Sequence, residues 1–289
     1  MAGLVGWLDR PFPHQLDQRS PNLLQLLDDD SVAGSAAPSG TTASQPAKSV
    51  VPKVPPGGDS NVPLAIRVGL VSQRPVTAFL PGRNVRCRDQ GGLEIPAQQL
   101  GSSIASSTHQ EIHCSGGSVQ INQQHYLGDV SLFKGQREWL PVISLDLETY
   151  VASVVGAEMP SQWHQEALKA QAVAARSYAM AHLARPATTT YHLGDTTRWQ
   201  VFAGETSTTQ ASRSATWETR GLILSYDGGI VESLYASNAH ASAEAHGHLG
   251  ASMSQTGAQQ LASQGHPFNA ILGRYYAGAS LARLKWHDQ

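Results

Sequence analysis

The chain has little charge of either sign. Lys, Arg, Asp and Glu make up 15% of its 289 residues, and the formal net charge is -2, where soluble domains commonly carry about 25% charged residues. No basic excess is present to neutralise phosphates, which excludes a nucleic-acid partner. Cysteine is scarce: Cys87 and Cys114 alone, in no CxxC motif and with no zinc spacing to histidine. They either close a disulfide, as an oxidising compartment would allow, or remain two buried thiols. No segment reaches the roughly 18 apolar residues of a membrane helix. The opening MAGLVGWLDRPFPHQ lacks a basic n-region and a small-residue cleavage site, so it makes a poor signal peptide. Neither a Gly-rich phosphate loop nor a GxSxG elbow occurs, and no cofactor is expected.

Ser, Thr, Gln and Gly take the place of the missing charges. A surface of hydroxyls and amides suits neutral polar ligands such as glycans. Residues 1–61 read as a weakly ordered segment and linker: PNLLQLLDDDS allows a turn or two of amphipathic helix, and the following Pro-, Gly-, Ser- and Ala-rich stretch cannot offset its ordering entropy. From Val62 the texture changes. Over 62–147, short runs rich in β-branched and aromatic residues alternate with turn signals, which predicts several mostly antiparallel strands. Next, QWHQEALKAQAVAARSYAMAHLA predicts a long, Ala-rich, largely buried helix, opened near Pro160-Ser161 and stopped by Pro186. GLILSYDGGIVESLYAS predicts a hairpin turning at Asp227-Gly228-Gly229, and QQLASQGHPFNAILGRYYAG two short helices broken at Gly265-His266-Pro267. The expected fold is α+β: an antiparallel, β-rich N-terminal half packed on the central helix, with short helices at the C-terminal end. The domain is placed at 62–282, with 283–289 as a tail.

Glu158 follows an apolar run (Val151, Val154, Val155, Ala157) and precedes Met159-Pro160. Proline disfavours helical geometry at Met159, which places the carboxylate at a strand- or loop-to-helix junction. Apolar surroundings would raise its pKa, as a general acid requires; the plain alternative is a surface carboxylate complementing a helix start. Lys169 and Arg176, seven apart, differ by about 20° around a helix and share a face. They either orient Glu158 or bind a ligand carboxylate, or they are solvated surface cations. His240, His246 and His248, with Glu244 between them, form a loop cluster that could hold a metal, although solvated histidines are the ordinary reading and no metal is expected.

The stretch YVASVVGAEMPSQWHQEALKAQAVAARSYA closely resembles the signature of the SpoIID/LytB (stage II sporulation protein D and amidase-enhancer) family. AIRVGL resembles its opening strand, ATWETRGLILSYDGGIVESLYAS its strand pair, and MSQTGAQQLASQGHPFNAILGRYYAGASL its closing block, so the likeness spans about residues 62–282. The resemblance implies a peptidoglycan-directed lytic transglycosylase working outside the cytoplasm, or else a non-catalytic amidase enhancer or wall-binding scaffold. Its partners would be glycan strands and, in the second case, a cell-wall amidase. Glu158 matches the proposed acid/base, Lys169 and Arg176 match important cations of the helix, and Tyr235 and Ser237 match part of a ligand-facing motif. The chain departs from the pattern at Ala239 and His240, which replace glycines, at Thr256, which replaces a tryptophan, and in a shortened segment between 237 and 256.

Overall fold

The computed structural model describes residues 50–56, 63–96, 99–101, 104, 106–136, 138–242 and 252–285. Among the described residues, nine strands precede the first α-helix: β1 (Ala65–Gly69), β2 (Phe79–Pro81), β3 (Arg86–Asp89), β4 (Glu94–Ile95), β5 (Glu111–Ser115), β6 (Ser118–Ile121), β7 (Gln124–Leu127), β8 (Asp129–Lys134) and β9 (Trp139–Asp146). The main sheet runs β10-β1-β9-β8-β5-β3-β4, where β10 is Leu193–Gly194. All its pairs are antiparallel except β1 with β10. A second sheet runs β2-β6-β7. The alternation that predicts strands is visible in β5 and β6, whose Ile112, Cys114, Val119 and Ile121 are buried while their neighbours are not. Cys87 and Cys114 stand opposite each other on β3 and β5 and are joined by a disulfide.

Asp146 ends β9 and starts α1 (Leu147–Glu158): its carboxylate accepts from the backbone N–H groups of Glu148 (3.0 Å) and Thr149 (3.1 Å). The apolar run before Glu158 is therefore helix. Leu147, Tyr150, Val151, Val154 and Val155 are all buried, and their three- and four-residue steps are the helical period. After Met159, which is extended (φ −128°, ψ 139°) as the following proline requires, α2 (Gln165–Ala184) begins one turn later than Pro160-Ser161 suggests, because His164 acts as its cap. Ala167, Ala170, Ala172, Ala174, Ala175 and Ala179 are enclosed, and their small side chains let neighbouring elements approach α2 on several sides.

Further elements are α3 (Gln210–Glu218), β11 (Leu222–Tyr226), β12 (Gly229–Ile230), β13 (Leu234–Ala236), β14 (Ser252–Ser254), α4 (Gln255–Ser263), α5 (Phe268–Tyr275) and β15 (Ser280–Arg283), of which α3, β11, α4 and α5 pack most closely on α2. The β11–β12 hairpin turns at Asp227 (φ 48°) and Gly228 (φ 75°), the left-handed pair of a tight hairpin. β13 and β14 pair in parallel. The fold is α+β with mostly antiparallel sheets.

Two contacts involve residues outside the expected 62–282 domain. Part of the expected linker is docked: Pro52 is buried, its carbonyl accepts from Asn269 Nδ2 at 3.0 Å, and a side chain at Gly273 of α5 would strike it. In the expected tail, Leu284 is buried and its N–H donates to Gly221 O at 2.9 Å. Both are tertiary contacts of low-complexity or terminal residues, which local pattern does not reveal.

Candidate functional site

Glu158 is the last residue of α1, so it lies at a helix-to-loop junction, the reverse of the order expected. The carbonyl end of a helix repels negative charge, so the reading of Glu158 as a residue complementing a helix start does not apply. Its two oxygens are held by neutral donors. Oε1 accepts from the Val201 N–H at 3.0 Å, and Oε2 from Gln255 Nε2 at 3.3 Å. Burial pushes its pKa above the ordinary glutamate value, and the two hydrogen bonds only partly offset that rise.

Each donor is fixed by the fold. Val201 sits in a loop closed at its base, where Phe202 N–H donates to Asp195 O (3.2 Å). Asp195 is itself buried and accepts from the Ser72 backbone N–H (3.0 Å) and hydroxyl. Phe202 stacks on Tyr126 and Tyr150, with ring centroids 6.1 and 5.3 Å away. The adjacent Gln200 is fully enclosed and bridges three elements. It accepts from Tyr150 OH of α1 (2.8 Å) and donates to Ala175 O of α2 (3.2 Å) and to Tyr235 OH of β13 (2.9 Å). Gln255 opens α4, directly after β14, and the Ser254 hydroxyl caps that helix by accepting from Gly257 N–H (3.1 Å).

Tyr235 therefore belongs to the Glu158 neighbourhood. Burial, and then the Glu158 charge, hold its phenol well above the ordinary tyrosine value, so it stays a neutral hydroxyl. Because that hydroxyl accepts from Gln200, its own hydrogen is left to donate. Ser237 is exposed just beyond β13; its carbonyl accepts from Thr256 N–H (3.2 Å) and its hydroxyl from Asn238 (3.3 Å).

Lys169 and Arg176 do share a face of α2, but that face looks elsewhere. Arg176 is fully buried. Its Nε and Nη2 bind the Glu148 carboxylate (2.6–3.2 Å), and its remaining donors reach Leu222 O (3.0 Å), Thr216 O (3.3 Å) and Ala172 O (3.4 Å). Glu148 is at the opposite end of α1 from Glu158, about 15 Å away at 1.5 Å per residue. Lys169 pairs with Glu166 (2.8 Å) and Glu218 (2.6 Å), and Glu166 also accepts from Phe268 N–H at the start of α5 (2.7 Å). The structure thus ties both expected ligand-binding cations to protein carboxylates, because packing of the Ala-rich helix turns this face toward α3 and the start of α1.

His240 is exposed, while Glu244, His246 and His248 lie outside the described residues. Among the described residues no group of three His, Cys, Asp or Glu side chains could hold a metal. Sequence reasoning missed Gln200, Val201 and Gln255. Gln255 stands in the Met253-Ser254-Gln255-Thr256-Gly257 block and was open to discovery there; the Val201 contact comes from a backbone N–H and leaves no side-chain signal.

Residues 135–226, from the end of β8 through β11, match the family model described as Stage II sporulation protein (SpoIID). An uncharacterized protein of Brachyspira hyodysenteriae is 33% identical over 117 residues, which are 40% of this chain and 32% of that protein. The Amidase enhancer of Bacillus subtilis is 38% identical over 85 residues, 29% of this chain and 11% of that protein. The chain thus spans about a third of the first relative and a ninth of the second.

Proposed function

Because the chain belongs to the SpoIID/LytB family, we propose that it acts on the bacterial cell wall, cleaving peptidoglycan glycan strands with Glu158 as a single acid/base. The observation that carries this reading is the half-buried carboxyl at the end of α1, which among the described residues is held by the neutral donors Val201 and Gln255. Protonated Glu158 gives its proton to the glycosidic oxygen as the bond to the muramyl C1 breaks and positive charge develops on that sugar. The resulting carboxylate then takes the proton of the same sugar's 6-hydroxyl, whose oxygen closes on C1 to form a 1,6-anhydro ring. Glu158 ends protonated and ready for another turn. An ordinary glycosidase needs a second carboxylate for its water or covalent intermediate; here the substrate supplies the nucleophile at high effective concentration.

Tyr235 and Ser237 are assigned to glycan contact, the first through its free hydroxyl hydrogen and the second from the exposed end of β13. Lys169 and Arg176 are assigned to holding α2 in place, since their charges are spent on Glu166, Glu218 and Glu148. A site outside the cytoplasm agrees with the Cys87–Cys114 disulfide.

The test is digestion of purified, peptide-free glycan strands with wild type and Glu158→Gln, the products read by mass spectrometry. Wild type should release fragments with 1,6-anhydro-muramyl ends, and the variant should lose about 10²–10⁴-fold in rate. A second reading, favoured by the stretch shared with the Amidase enhancer, is a non-catalytic protein that binds wall and stimulates an amidase. Under it, wild type and variant both release nothing, and both raise amidase turnover equally.

A further inference from the structure

Just beyond Glu158, a shallow depression of about 480 Å³ is lined by Ser161, Gln165, Thr209, Gln210, Ala211 and Ser214. Its lining carries hydroxyls and amides with no charged side chain and only the methyls of Thr209 and Ala211. Ser161 is three residues from Glu158, so their backbones are at most about 10 Å apart. On α3, Gln210, Ser214 and Trp217 follow at steps of four and three, which places them along one face. All three are exposed, and Trp217 keeps 69% of its surface open. Arg220 stacks against the Trp217 ring with its guanidinium 5.1 Å from the centroid. Ser214 donates to Glu218 (2.9 Å), which leaves its oxygen free to accept.

We infer that this face of α3 is a secondary subsite for a glycan strand, with Trp217 as its stacking platform; this inference rests on the glycan-directed reading above. One exposed tryptophan is ordinary, so the inference rests on its setting. A pyranose offers hydroxyls around its rim and an apolar C–H face. Those two needs are met in order along α3, by the polar depression and then by the indole, over about 10 Å of helix rise. An anionic polymer would find no cation in the depression, and an apolar peptide only the Thr209 and Ala211 methyls.

The experiment is co-sedimentation of the full chain with peptide-free glycan strands, using wild type, Glu158→Gln, Trp217→Ala, Trp217→Phe and the double variant Gln210→Ala/Ser214→Ala. Exposed positions were chosen so that the fold survives, which circular dichroism checks. Trp217→Ala should bind about tenfold more weakly, Trp217→Phe in between, and the double variant should also weaken. Glu158→Gln should bind like wild type. If wild type binds and Trp217→Ala binds equally well, the subsite is wrong while the glycan-directed reading stands. If wild type does not bind these strands at all, both fall.

Discussion

Helix α1 carries a glutamate at each end, and the two have opposite surroundings. Glu148 lies in the first turn, where the helix dipole favours negative charge, and it holds the buried Arg176 guanidinium and the Gly221 N–H (3.1 Å). Glu158 lies in the last turn, where the dipole opposes its charge, and among the described residues its oxygens meet neutral donors. The same side chain thus faces a cation at one end and neutral donors, with a raised pKa, at the other. A structural carboxylate is recognised by a cation that balances it; a carboxyl able to give and retake a proton is recognised by enclosure without one.

The largest effect should come from breaking the balanced end. Arg176→Met leaves Glu148 facing the interior unpaired and should cost about 3–5 kcal/mol in urea unfolding, whereas adding Glu148→Leu should recover much of it. If Arg176→Met unfolds like wild type and loses only glycan binding, then Arg176 serves ligand and the comparison fails. Tyr235→Phe strips Gln200 Nε2 of one acceptor in the enclosed network and should cost about 1–3 kcal/mol, along with a loss of cleavage rate that exceeds the loss of binding.

At the other end the effects are smaller and depend on pH. In the folded state Glu158 binds its proton more tightly than in the unfolded chain, so its contribution to stability falls as pH rises from the ordinary glutamate value to its raised one. Glu158→Gln should therefore be at least as stable as wild type at neutral pH, and any advantage should vanish below the ordinary glutamate range, as followed by thermal unfolding against pH. Gln255→Leu removes a donor that favours the ionised form. It should raise the Glu158 pKa further and move the high-pH limb of the cleavage profile upward; a downward move would mean that Gln255 does not act on Glu158.

Much of this was legible in the sequence. The spacing of Leu168, Ala172, Ala175 and Ala179 predicts α2, Asp227-Gly228 predicts its hairpin, and Met159-Pro160 marks the break beside Glu158. The direction of that break does not follow from the proline alone; the helical steps of Leu147, Tyr150, Val151, Val154 and Val155 set it. For Lys169 and Arg176 the shared face follows from the period, but what the face meets is decided by tertiary packing. The partners of Glu158 come from positions far along the chain, 43 and 97 residues away, and no local pattern joins them.

The contrast between the two ends of α1 is tested most directly by carbon-13 NMR titration of selectively labelled glutamate, with the Glu158 signal identified by its absence in Glu158→Gln. The account predicts a midpoint above that of an ordinary glutamate. A midpoint at or below the ordinary value would contradict the proposed role of Glu158 as the acid.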